Sequence, residues 1–183
     1  MQLTDIIVRW HNGDKQAEGL LFHFAYEQLK TIAHKERVRA LEKFGDNAEH
    51  HEQEINNTTA LIHDAYLKLS QHDVSYLQNR KQFFLLVSKI VRQILIDQSR
   101  KRLAQKRQPA TSTKQDQQNF DQLMSFDSAL GELKKRFPRQ SEVLQLRYFA
   151  GLKNKEISDM LQCSPSLIEK DLKFSRSWMQ SQI

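Results

Sequence analysis

The sequence predicts an all-α chain folded as two helical domains on a polar tether, and three observations carry that reading. Only five glycines and three prolines occur among 183 residues, too few for the turns of a sheet protein. No Asn-Gly or Asp-Gly pair sits between alternating runs, since Asn12-Gly13 has a helical pattern on both sides. Apolar residues recur instead three and four apart, the rhythm of one buried helix face.

The elements follow in order. Leu3–His11 is a short amphipathic helix, with Asn12-Gly13-Asp14 as its stop and the next start. From Lys15 to about Phe44, apolar residues at Leu20, Leu21, Phe24, Leu29, Ile32 and Ala33 mark a long second helix. GDNAEHHEQE, Gly45 to Glu54, is a polar, acidic loop. NNTTALIHDAYLKL starts a third helix that ends near Gln71, with Ala60, Leu61, Ala65, Tyr66 and Leu69 inward. After the turn HDVSYLQNRKQ, a fourth helix runs from about Gln82 to Lys106. Its first part, FFLLVSKIVRQILI, is apolar nearly all round and belongs at the centre of a bundle. Gln108–Phe120, QPATSTKQDQQNF, has almost no apolar content and is expected to be a flexible linker. Asp121 to Phe137 is helical, Pro138 restarts a helix that ends before Gly151, and two more helices follow.

Composition excludes several function classes. Hydrophobic content of 39%, a mean hydropathy of −0.67 and 27% charged residues describe a soluble chain, and no run reaches the ~18–20 apolar residues of a membrane helix. The start, MQLTDIIVRWHNGD, is not an export signal, so a cytoplasmic location is expected. A single cysteine, Cys163, rules out an internal disulfide and is expected to be a small packing residue. His50 and His51 are neighbours in a polar loop and poorly placed to share an ion, so no metal and no cofactor are expected. No P-loop, HExxH or G-x-S-x-G is present, and the chain is not expected to be an enzyme.

Net charge is +6, and its placement says more than its size. From Arg80 to Arg107, nine basic residues face one acid, Asp97, giving +8 in that window and −2 elsewhere. A solvated helix face mixes signs; this window does not, which points to a polyanion partner.

Near the C-terminus, NKEISDML, then QCS, then PSLIEKDLKFSRSW has the spacing of a helix-turn-helix. Ile157, Met160 and Leu161 are expected inward on the first helix, and Ile168 and Leu172 on the second. Ser164 suits an N-cap and Pro165 a first turn. Ser166, Leu167, Glu169, Lys170 and Lys173 are then left outward to meet base edges and phosphates, with Arg176 one turn later for phosphate.

With these motifs in view, the chain resembles the bacterial RNA polymerase sigma factors of the extracytoplasmic-function type. The matching residues are TALIHDAYLKL and NRKQFFLLVSKIVRQILIDQSRKR in the first half. In the second half they are RQSEVLQLRYFAGLKNKEISDMLQCSPSLIEKDLKFSRSW. The resemblance implies sigma region two over residues 1–107, a linker over 108–122, and sigma region four over 123–183. It implies docking on core RNA polymerase, through the β′ clamp helices and the β flap, and binding of promoter DNA. Region two would open the −10 element and hold an unpaired base in the loop His72–Gln82, using Tyr76, Asn79, Arg80, Lys81, Lys89, Arg92, Gln93, Arg100 and Arg102. Tyr76, Phe83 and Phe84 are candidates to stack on that base, with the core the better expectation for Phe83 and Phe84. Region four would place its recognition helix in the major groove of the −35 element.

One departure from the family pattern stands out. Relatives carry a short acidic signature where this helix begins, which contacts the basic clamp. Aligned through Leu61-Ile62-His63-Asp64, those positions here are Asn57, Thr58, Thr59 and Ala60, and every acid is missing. The resemblance makes Asn57, Thr58, Thr59, Leu61, His63, Asp64 and Lys68 the polymerase-binding set. Thr59 is either a plain helix cap or, with Thr58 beside it, a phosphorylation site that supplies the missing charge. A Ser/Thr kinase or an anti-sigma factor are the regulators this implies. The readings from other classes are a stand-alone helix-turn-helix regulator and a degenerate sigma-like protein that binds polymerase without starting transcription.

Overall fold

The computed structural model describes residues 3–44, 63–65, 67–69, 71, 77–105 and 114–183, with backbone alone for 32–44, 102, 105 and 114–116. Among these, every regular element is an α-helix. They are α1 Leu3–His11, α2 Lys15–Phe44, α3 Arg80–Gln105, α4 Lys114–Arg136, α5 Pro138–Tyr148, α6 Asn154–Leu161 and α7 Pro165–Gln182, with further helical residues at 63–65, 67–69 and 71. The chain divides into two compact units. One is Met1–Val91 with Phe149–Gly151; the other is Arg92–Tyr148 with Leu152–Ile183.

In the first unit α1 buries Leu3, Ile6 and Ile7, the three-and-four spacing of its inner face. It packs on α2, which buries Ala17, Leu21, Ala25 and Leu29, each four residues from the last. Each fully buried Leu or Ile contributes roughly 1.5–3 kcal/mol, an upper figure because a compact unfolded chain already hides some of that area. The turn between the helices is closed by its backbone. Gly13 takes φ +86°, Gly13 N–H donates to Trp10 O at 3.0 Å and Asp14 N–H donates to Arg9 O at 3.1 Å, the paired bonds of a Schellman motif. Asp14 then caps α2 by accepting from Gln16 N–H at 2.9 Å and also pairs with Arg9 at 2.7 Å. That cation, and the backbone bonds beside it, hold the exposed Asp14 carboxyl below its ordinary range.

Phe83 and Phe84 of α3 are fully buried, so they are core residues and not base-stacking platforms. Their rings meet each other edge-on at 5.5 Å, and Phe24 of α2 meets them at 5.8 and 6.3 Å. Ala65 and Leu69, four apart, are buried as the sequence predicts; Ala60, Leu61 and Tyr66 lie outside the described residues. Ser88 sits among the buried apolar residues of α3 with its hydroxyl satisfied by Phe84 O at 2.7 Å.

In the second unit α4, α5, α6 and α7 pack on one another around Leu130, Leu133, Val143, Leu144, Leu146, Ile157, Ile168, Leu172 and Met179. Helix α4 begins at Lys114, not near Asp121, so residues 114–120 are helical where a flexible linker was expected. Beyond Pro109 this stretch holds no helix breaker, and its Gln117 and Asp121 side chains bond at 2.9 Å across one turn. Over residues 114–120 the low apolar content belongs to a helix that is largely exposed; residues 108–113 of the expected linker lie outside the described residues.

Two glycines test this account. Gly19 lies in α2 with open space where a Cβ would stand, so Gly19→Ala should stabilise by about 0.5–1 kcal/mol. Gly13 has open space too but a positive φ, so Gly13→Ala should destabilise by about 1 kcal/mol. Urea denaturation of the two variants, read by helical circular dichroism, should move the midpoint in opposite directions.

Candidate nucleic-acid interface

The helix-turn-helix is built from local rules. Lys153 precedes α6, and its N–H donates to the Glu156 carboxylate at 2.7 Å, the backward half of a capping box. Helix α6 ends on Gln162 in the left-handed conformation, φ 51°, ψ 47°, and Cys163 N–H donates to Ser158 O at 3.1 Å. The Ser158 hydroxyl donates to Cys163 O, which closes the turn a second time. Ser164 caps α7 by accepting from Leu167 N–H at 3.2 Å, and Pro165 occupies the first turn. Both of those roles are legible in the sequence. Cys163 is half-buried in the turn.

Helix α7 is held against α5 by a charged clamp. The Asp171 carboxylate is buried at 4% exposure and receives Arg139 Nη2 at 2.7 and 2.8 Å and Gln140 Nε2 at 3.1 Å. The hydrogen bond to Asp171 raises the Arg139 guanidinium above its already high range. Ser175 Oγ, one turn on, bonds Gln140 O at 3.1 Å. Ile168, Asp171, Leu172, Ser175 and Met179 therefore form the inner face.

The outer face follows. Ser166, Glu169, Lys170, Lys173 and Arg176 are exposed, as expected, while Leu167 is half-buried and only partly available. Arg176 Nε also donates to Leu172 O at 3.3 Å. On α6, Ile157 is buried as expected, but Met160 and Leu161 are half-buried and Ser158 takes the second inner position. Beside α7 lies an apolar cavity of about 480 Å³, lined by Phe126, Leu144, Tyr148, Met179 and Ile183 with Arg176 among them.

The candidate residues on α3 and before it separate into groups. Asn79 caps the helix, its Oδ1 accepting from Gln82 N–H at 3.0 Å, so its side chain already has a structural task. Arg80 lies over the Phe84 ring with its guanidinium carbon 5.5 Å from the centroid. Lys81 is half-buried. Lys89, Gln93 and Arg100 are exposed and spaced four and seven apart, which aligns them along one side of the helix. Arg100 approaches Asp97 at 3.9 Å, a loose surface pair worth little. Arg92 is committed elsewhere: its Nε meets Asp127 at 2.8 Å and its Nη1 reaches Gln145 Oε1 at 3.5 Å. The Arg102 side chain and all of Tyr76 lie outside the described residues.

Of the polymerase-binding candidates, His63 is exposed and Asp64 and Lys68 are half-buried; Asn57, Thr58, Thr59 and Leu61 lie outside the described residues. So do His50 and His51, and among the described residues no group of three or more His, Cys, Asp or Glu is placed to hold a metal ion. No described helix is long and apolar enough to cross a membrane.

Sequence reasoning missed Asp171 and its clamp. The signal was present, because Asp171 lies three residues from Ile168 and eight from Met179, on the inward row where an acid needs a partner. It also missed Asp127 as the partner of Arg92, for which a pairing across 35 residues leaves no local signal. A family model described as ECF sigma factor matches residues 1–183. No curated protein and no solved structure matches the chain.

Arg139→Met removes two of the three hydrogen bonds to a buried carboxylate. Discounted for the half-exposed arginine, the expected loss is about 1–3 kcal/mol by chemical denaturation. Lys170→Ala, on the outer face, should change stability by less than about 0.5 kcal/mol. Equal losses at the two sites would show that α7 is rotated from the position described.

Proposed function

The chain belongs to the ECF sigma factor family, and we propose that it is an alternative sigma factor whose docking on core polymerase is switched on by threonine phosphorylation. Directing transcription initiation at promoter DNA is the family's work, done by binding and without chemistry of the factor's own. Residues 1–107 act as region two, 108–122 as the connection and 123–183 as region four.

The observation that carries the reading is the outer face of α7. A capped helix with a buried, clamped back presents Ser166, Glu169, Lys170 and Lys173 together, and a helix in the major groove reads base edges from such a face. Lys170 and Lys173 read the −35 element, with Arg176 on phosphate. Lys89, Gln93, Arg100 and Arg102 track the backbone of the opened −10 segment, and Tyr76 stacks on an unpaired base. The cavity beside α7 is apolar with a cation at its lining, which suits the β flap. His63, Asp64 and Lys68 meet the β′ clamp.

Thr59 supplies the control. Unmodified, the helix start offers Asn57, Thr58, Thr59 and Ala60 to a basic surface, with no charge. A phosphothreonine adds about −1.5 to −2 charge and three acceptor oxygens at a helix N-terminus, where macrodipole and partner both favour it. Each charge-assisted bond is worth about 1.5–3 kcal/mol, or one to two decades of affinity. A cytoplasmic Ser/Thr kinase is the modifying partner.

The test is run-off transcription from genomic fragments with core polymerase, using unmodified and stoichiometrically phosphorylated protein. New start sites with the phosphorylated form, and at least tenfold weaker core binding by the unmodified form and by Thr59→Ala, are expected. Equal activity of the two forms would leave Thr58 and Thr59 as a helix cap. No start sites in either form would favour a degenerate polymerase-binding protein.

At the DNA end, Lys170→Ala should cost about 1–3 kcal/mol and relax preference at one base position. Arg100→Ala should weaken binding to every sequence and reduce the salt slope by about one. Quantitative promoter-binding titrations at several salt concentrations separate these two behaviours.

A further inference from the structure

The outer side of α7 carries one acid among its cations. Ser166, Glu169, Lys170 and Lys173 are all exposed. Their spacing of three, four and seven puts them on one side of the helix, as in a helix that lies in the major groove and presents side chains to base edges. The lysines suit any duplex, because phosphates attract them whatever the sequence. The carboxylate does not. A negative group turned toward a polyanion is repelled, and it weakens binding wherever it finds no donor.

Glu169 cannot escape by rotation of the helix. Its neighbour Ile168 is fully buried, and Asp171, about 200° round the helix from it, is held by Arg139 and Gln140. The Ser164 cap fixes where the helix begins. Only a hydrogen-bond donor makes the exposed carboxylate favourable there. In the major groove two bases offer an amino group, cytosine at N4 and adenine at N6. Adenine also presents N7 beside its amino group, an acceptor that repels a second carboxylate oxygen; cytosine presents no acceptor there. Lys170 is the next residue, and its ammonium is a donor suited to O6 and N7 of guanine. An acceptor and a donor side by side match the two halves of G·C pairs.

We propose that Glu169 is a specificity-determining residue that accepts a hydrogen bond from the N4 amino group of one cytosine in the −35 element. The proposal rests on the sigma reading above and deepens it by naming a base. Glu169 acts in two directions. It adds a bond at sites with that cytosine, and it sets an unpaired charge against sites without it. A glutamine at the same place would keep the shape, lose the charge and gain a donor, which suits adenine at N6 and N7. An alanine would do neither.

The experiment uses the whole chain with core polymerase, in whichever phosphorylation state is active, and a promoter library randomised across the −35 element. Wild type should favour cytosine at one position by roughly tenfold. Glu169→Gln should move the preference at that position to adenine. Glu169→Ala should lose it there, keep the preferences elsewhere, and bind unrelated duplex at least as tightly as wild type. The selected promoter is then made with 2-pyrimidinone, which is cytosine without its amino group, at that position. Wild type should bind it roughly tenfold more weakly, and Glu169→Ala should change by less than about twofold. An unchanged cytosine preference in Glu169→Ala, or a loss of preference at every position alike, would overturn the proposal. So would an equal loss from 2-pyrimidinone in both proteins. If the wild-type chain with core polymerase selects no −35 sequence, the sigma reading fails and this inference with it; a selected −35 element indifferent to the amino group fails this inference alone.

Discussion

The buried carboxylate of Asp171 fixes what α7 can show to a partner. A charge taken out of water costs several kcal/mol unless its oxygens are filled, and here Arg139 and Gln140 fill them. Turning α7 by one residue would move Asp171 about 100° away from those donors, so the clamp sets the rotation of the helix. Apolar packing alone tolerates small slips because it is non-directional; three hydrogen bonds to one carboxylate do not. Ser175, bonded to Gln140 O a turn later, repeats the constraint. The outward set of Ser166, Glu169, Lys170 and Lys173 is therefore a consequence of an interaction on the opposite side of the helix.

Much of this architecture was legible because it is written in local chemistry. Gly13 before Asp14, Pro138 after Phe137, and Ser164 before Pro165 mark helix ends through φ, ring geometry and side-chain acceptors, and each is used as the residue type demands. What was not legible falls into three kinds. The turn at QCS was legible from spacing, but not that Gln162 would take a left-handed φ that glycine usually supplies. Asp171 with Arg139, and Arg92 with Asp127, are pairings across 32 and 35 residues, and a single sequence does not show which distant charge a side chain meets. The start of α4 at Lys114 was missed for a third reason: a helix that exposes most of its surface lacks the apolar stripe on which the reading relied.

The same pairings change how the basic window should be weighed. Counted along the sequence it carries +8, but Arg92 spends its charge on Asp127 and Arg80 lies over a phenylalanine ring. The salt dependence of DNA binding counts cations that replace counterions on phosphate, not cations in the sequence. Lys89 and Arg100, exposed and on one side of α3 with Gln93, are the part of the window suited to that task. Net charge pointed to a nucleic-acid partner, as the family implies, while the charge of Arg92 is paired within the chain.

Charge also bears on the proposed docking through the uncharged stretch Asn57–Ala60. In that proposal a chain of net charge +6 approaches a basic polymerase surface, and on total charge alone one phosphate would not reverse the repulsion. Screening decides otherwise. At physiological ionic strength the Debye length is about 8 Å, so charges farther away contribute little to docking. Of the residues that follow these positions in the sequence, Asp64 and Lys68 carry opposite charges and are both half-buried. On the proposed reading those two charges cancel, and a doubly charged phosphate at Thr59 would decide the local sign. On that proposal a modification confined to Thr59 would govern docking while the exposed basic residues of α3 and α7 keep their affinity for DNA.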